Sequence, residues 1–211
     1  MRDAAERDLG VHLETALRGV VVGERWPKSG VDIVVTVLEG EEDGWWGDVS
    51  SNNGGGGYGA MTVLAGAITA ASAALVDAGI DCVDLVSGGV TAVVSDAAQA
   101  SILRAENNTQ AETGTRIVLD PCPAEHERVV SACVVGYLQS RDEITEVWMK
   151  GSDGAGGADE GLIDRAVEAA IASRTVLAAA LRESTEEKLL GTKSAGVATV
   201  KPGQDVEMTA A

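Results

Sequence analysis

Residues 117–127 read IVLDPCPAEHE. An apolar run ends in Asp120, and two prolines, two glutamates and His126 follow. Carboxylates at the end of a strand are the groups that hold a divalent cation. Mg²⁺ takes oxygen ligands at about 2.1 Å and is usually bound through one or two carboxylates beside substrate phosphates. Glu125 and Glu127 flank His126, too near each other in sequence to settle which would join Asp120. The plainer reading, favoured on residue types alone, is a strand–strand turn with a solvated acidic rim. Pro121 and Pro123 would stiffen it and hold the chain extended just after Asp120.

Other residue groups offer less. The run GGGG at 54–57 precedes an apolar helix, where backbone N–H groups could cradle a phosphate. The Gly-Lys-Ser/Thr of a phosphate loop is missing, and no Lys or Arg occurs from residue 29 to residue 103. Glu39, Glu41, Glu42, Asp43 and Asp48 crowd the same segment, so it reads as a flexible loop. His12 and His126 are far apart, and no Ser-His-Asp or Cys-His signature is present. Cys122, between two prolines, reads as a small buried side chain without an adjacent base. Trp45 and Trp46 lie in the acidic glycine loop. They either face a partner or tuck back onto this chain's core, and the sequence leaves both readings open.

The chain has 211 residues, 45% of them hydrophobic, which fits a packed globular fold. Aromatics are 3% with no Phe, so Val, Leu, Ile and Ala must build the core. The formal net charge of −17 argues against general nucleic-acid binding by the whole surface. Cys82, Cys122 and Cys133 form no metal or disulfide pattern, which suits a reducing compartment and implies no structural metal. The charged N-terminus, MRDAAERDLG, lacks the apolar core of a signal peptide. The run 60–76, broken by Thr62, Gly66, Thr69 and Ser72, reads as too short and too polar for a membrane span.

The elements that must position these groups follow from periodicity. Residues 2–22 carry a helical face of Leu9, Leu13, Ala16, Leu17 and Val20. VDIVVTVL at 31–38 predicts a buried strand. Residues 60–78 predict a small-residue helix, and 83–95 a strand pair or bent strand with Gly88-Gly89 at a bulge or close approach. Residues 96–114 are polar and loop-like. Strands are predicted at 115–119, 129–138 and 144–149. A second long helix is predicted at 160–183, striped by Ile163, Val167, Ala170, Ile171, Leu177 and Leu181. The step from residue 31 to residue 95 predicts a right-handed parallel crossover, and the later strands should pair antiparallel. The fold class is α+β, a mixed sheet covered by helices over residues 1–183, with 184–211 as a disordered tail.

Four strings carry a resemblance: ERDLGVHLETAL, ERWPKSGVDIVVTVLEGE, MTVLAGAITAASAALVDAGIDCVDLVSGG and IVLDPCPAEHE. The third is the most specific. Together they resemble the RNase PH domain family, and within it the non-catalytic ring subunits of the eukaryotic RNA exosome. The likeness runs from about residue 2 to residue 183, with an insertion at 96–114. It implies an RNase PH-like (ribosomal S5-like) fold lacking the antiparallel strands that family members carry upstream, as in an N-terminal truncation.

Phosphorolytic members resemble one another in an arginine at the start of the central helix, which falls at Leu64 here. They also share two aspartates six apart, which fall at Asp120 and His126. The resemblance therefore implies a degenerate catalytic site, no cofactor and no catalytic metal, with Leu64, Asp120 and His126 as remnant positions. It implies a structural ring subunit that supports rRNA processing and mRNA turnover by threading single-stranded RNA to a separate nuclease. Its partners would be other RNase PH-like subunits and S1/KH caps, in nucleus, nucleolus and cytoplasm, with no membrane. Arg104, Arg116, Arg128 and Arg141, with Trp45 and Trp46, are the candidate RNA or partner contacts. The rival reading is an active phosphate-dependent exoribonuclease that borrows a neighbour's cations. A free-standing α+β domain unrelated to RNA is the third.

Overall fold

A computed structural model describes residues 2–25, 27–38, 58–95, 115–122, 126, 129–151 and 158–196. The chain runs α1 (Arg2–Arg18), α2 (Gly59–Asp77), β1 (Val86–Ser95), β2 (Thr115–Leu119), β3 (Val129–Leu138), β4 (Glu143–Gly151) and α3 (Ala158–Gly196). The four strands form one sheet in the order β2-β1-β3-β4. Every described pairing is antiparallel.

The two central strands are buried on both faces, which explains their nearly unbroken apolar runs. In β1, Val86, Val90, Ala92 and Val94 face one core with Met61, Leu64, Ala65 and Ile68 of α2. Val93 faces the other core, with Leu162, Ala166 and Ala170 of α3. β3 repeats the alternation, with Ala132 and Val134 on the α2 side and Cys133 and Val135 on the α3 side. Two polar residues of β1 sit on the α3 side without penalty, because their hydroxyls donate to helix carbonyls. Ser87 Oγ reaches Ala170 O at 2.7 Å and Thr91 Oγ1 reaches Leu162 O at 3.0 Å.

Gly88 and Gly89 set how close the helices come. A Cβ on Gly88 would lie 2.1 Å from Ala65 O, and one on Gly89 2.0 Å from Ala166 O. The pair therefore marks a close approach on both faces at once. α1 joins the α2 side through Ala16, with Val20 just beyond its end, while Leu17 packs against Ala71 and Leu75.

Helix α2 is long and apolar enough to cross a membrane by length and composition. The expectation that it is too short and too polar is corrected on that point. Its packing is what makes it a core helix, with Met61 and Ile68 fully buried against the sheet. It ends as a Schellman motif. Gly79 takes φ 73°, its N–H bonds Val76 O, and the Ile80 N–H bonds Leu75 O, each at 3.0 Å.

Four expectations change. Residues 31–38 form no strand among the described residues; Val34 is 88% and Leu38 94% exposed, and only Ile33 packs inward. β-propensity needs a neighbouring strand to act on, and none of the described strands lies beside this segment. Among the described residues the parallel crossover is therefore not formed, and the sheet is antiparallel rather than mixed. Helix α3 continues to Gly196, so residues 184–196 are helical. Its buried seam is Leu162, Ala166 and Ala170, where Ala166 and Ala170 meet Gly89; of the predicted stripe, Ala170 lies in this seam and Ile163, Val167 and Ile171 pack half-buried beside it. Residues 39–57, 96–114 and 197–211 lie outside the described residues.

Candidate functional site

The candidate site grows from the place where β2 leaves β1. The two pair only over Thr91–Ser95, ending at Thr91 opposite Leu119. The Asp120 N–H still bonds Val90 O at 2.9 Å. Asp120 then takes φ 47°, a left-handed conformation that aspartate tolerates better than most residues. The chain turns there instead of extending as its prolines suggested, and Pro121 is buried. No described strand lies beside residues 86–90 of β1 on that side.

Hydroxyls of α2 take the place of the missing strand. Ser72 Oγ accepts from the Val86 N–H at 3.0 Å, and Thr69 Oγ1 accepts from the Gly88 N–H at 2.9 Å. Thr69 in turn donates to Ala65 O at 3.0 Å. The edge donors are thus satisfied without a strand.

Between α2, this edge, the end of β2 and α3 lies a cleft of about 650 Å³. Ala65, Ala70, Val90, Leu119 and Leu177 give it apolar walls, and Thr62, Thr69 and Ser173 add hydroxyls. Its two ionisable groups are Asp120 and Glu168. Glu168 meets Arg165 at 2.7 Å in an exposed i,i+3 pair. No Lys, Arg or His is among the described lining residues. No group of three His, Cys, Asp or Glu side chains that could hold a metal exists among the described residues. Its described lining can accept hydrogen bonds and positive charge, and presents no cation to a phosphate.

The structure sorts the remnant positions. Asp120 lines the cleft. Leu64 does not; it is 1% exposed and points into the core beneath the sheet. The α2 residues that face the cleft include Thr62, Gly66 and Thr69. His126 is half-buried and is not among the described lining residues. Glu168 and Ser173 were missed, because nothing local in a long alanine-rich helix marks two residues that only the packing of α3 on β1 brings to Asp120.

Of the candidate arginines, Arg116 pairs opposite Val94 at one end of β1. Arg141 is exposed in the turn Gln139–Arg141, beyond the Val86–Leu138 pair at the other end. Eight residues of strand separate the two levels, about 26 Å, so they do not make one patch. Arg104, Arg128, Trp45 and Trp46 lie outside the described residues.

A different arginine is tightly held. Arg174 of α3 grips Asp84 at 2.8 and 3.1 Å, while the Leu85 and Ser140 N–H groups bond the same carboxylate. Partial burial by itself would raise the Asp84 pKa. The Arg174 hydrogen bonds, the two N–H groups and the guanidinium charge outweigh it and hold the carboxyl below its ordinary 3.8. The clamp ties the start of β1 to α3 and to the β3–β4 turn.

Residues 1–81 match the sequence profile of the 3' exoribonuclease family, domain 1, called RNase_PH. Over 186 residues, 87% of this chain, the sequence is 42% identical to the Exosome complex component MTR3 of Chaetomium thermophilum, covering 60% of that protein. Over 149 residues, 70% of this chain, it is 29% identical to the Exosome complex component mtr3 of Schizosaccharomyces pombe, covering 45% of it. The chain thus spans about half the length of the curated relatives it matches.

Proposed function

We propose that this chain is a non-catalytic structural subunit of an RNA exosome ring, built on an RNase PH domain, because residues 1–81 match that family and most of the chain is similar to exosome components. In this reading it supports 3'-end RNA processing and degradation by helping to thread RNA to a separate nuclease. The observation that supports it is the cleft at Asp120. Phosphorolysis needs positive charge where inorganic phosphate binds and where charge develops on the phosphoryl group. The described walls here carry two ionisable groups, Asp120 and Glu168, both acids, the second paired with surface Arg165, and no lining cation to receive phosphate.

Its partners in this reading are other RNase PH-like subunits and S1/KH-type caps, and single-stranded RNA in the shared channel. A chain of net charge −17 fits a ring whose basic surface is supplied by neighbours. Nucleus, nucleolus and cytoplasm are the expected compartments, to be checked by imaging a tagged protein. The decisive assay is phosphate-dependent release of nucleoside diphosphates from RNA by the assembled complex. Asp120→Asn should leave that release, and the complex's nuclease activity, unchanged. Loss of diphosphate release in the variant would establish a phosphorolytic site that borrows a neighbour's cations.

A further inference from the structure

We propose that the Asp120–Glu168 cleft receives a lysine or arginine side chain from a basic segment of a partner protein. The inference rests on the scaffold reading above, since a working phosphate site would claim the same space. Both ionisable groups among the described lining residues are acids, and no described group pairs with the Asp120 carboxylate. The Glu168 partner, Arg165, is a surface pair with both side chains more than half exposed, so an incoming cation displaces it at little cost.

The walls suit such a guest. A long aliphatic stem lies against Val90, Leu119 and Leu177 while its charged head stays at the acidic mouth. The hydroxyls of Thr69 and Ser173 on the same walls add polar surface beside the two carboxylates. Addition of a partner strand is disfavoured, because Ser72 and Thr69 already occupy the edge N–H groups of Val86 and Gly88. Phosphate-bearing guests are repelled. The net charge of −17 draws a basic segment from a distance, and the cleft then gives it a place to dock.

The test uses the full chain at physiological salt with a fluorescent Gly-Arg-Gly-Arg-Gly peptide, read by anisotropy. The matching peptide with neutral citrulline in place of arginine should bind at least about tenfold more weakly. Asp120→Asn combined with Glu168→Gln should weaken the arginine peptide by a similar factor; both positions are exposed, and Asn keeps the left-handed turn. Asp8→Asn combined with Glu183→Gln, an equal loss of charge away from the cleft, should change binding by less than about twofold. Equal weakening by both pairs would reduce the effect to general attraction and overturn the proposal. So would undiminished binding to the cleft variant, or no binding to the natural chain. A parallel phosphorus NMR titration with inorganic phosphate separates the two readings. Phosphate bound in the natural chain and lost in the cleft variant overturns the scaffold reading as well; neither peptide nor phosphate bound overturns the docking site alone.

Discussion

His12 Nδ1 lies 2.8 Å from Glu146 Oε1, and the His12 ring stacks on Trp148 with centroids 4.7 Å apart and planes 20° from parallel. The two contacts fasten α1 to β4, residues 134 apart in sequence. The Glu146 side chain is only 9% exposed, so this carboxylate needs its partner. His12→Ala should lower stability by about 1–2 kcal/mol through the lost stack and hydrogen bond. The double variant with Glu146→Gln should lose less than the sum of the singles. Urea denaturation followed by tryptophan fluorescence measures both; strict additivity would mean the pair does not act as a unit.

The glycine pair of β1 makes a sharper test. Gly88→Ala and Gly89→Ala each drive a methyl into a helix backbone oxygen. Each should destabilise by about 3 kcal/mol or more, because the helix must move away from the sheet. Gly10→Ala, in α1 with nothing within 4 Å of the added methyl, should instead stabilise by about 0.5–1 kcal/mol. Thermal unfolding of the three variants distinguishes a packing role from a bulge, for which Gly88→Ala would be mild.

The Asp84–Arg174 clamp predicts a pH dependence of known sign. The folded carboxyl titrates below its ordinary 3.8. Its contribution is therefore present above pH 3.8 and is lost as the pH falls from 3.8 through the lower folded value. Asp84→Asn should flatten that part of the acid limb while leaving the slope between pH 5 and 8 as it was. Tyr137 moves the other way: its hydrogen bond to Asp142 at 2.5 Å, then burial, then the Asp142 charge raise its pKa.

Residues 31–38 give a prediction of near silence. Val34 and Leu38 are almost fully exposed, so Val34→Thr with Leu38→Thr should change the stability of this chain by no more than about 0.5 kcal/mol. Ile33→Ala, whose side chain packs beside Leu17 and Leu75, should cost about 1–2 kcal/mol. A large effect at Val34 in chemical denaturation would mean that the segment is covered in solution.

Periodicity and residue size by themselves determined much of this protein. The helices of residues 2–18 and 59–77, the strands at 115–119, 129–138 and 143–151, and the Val-Leu-Ala core all follow from local pattern, because side-chain period and burial are tied to backbone geometry. The missing cation near α2 is likewise plain in the chain, as charge is a property of residue type. Only the tertiary structure decided the rest. The strand signal at 31–38 failed because a strand exists through its neighbours, and no described strand lies beside it. Leu64 proved to be core rather than cleft, since a helix turns about 100° per residue and only packing fixes which face meets the sheet. Glu168 came to line the same cleft as Asp120, His12 joined Glu146, and Arg174 joined Asp84 across dozens of residues. Such pairings are made by the stacking of helices on both faces of one sheet, which no local spacing encodes.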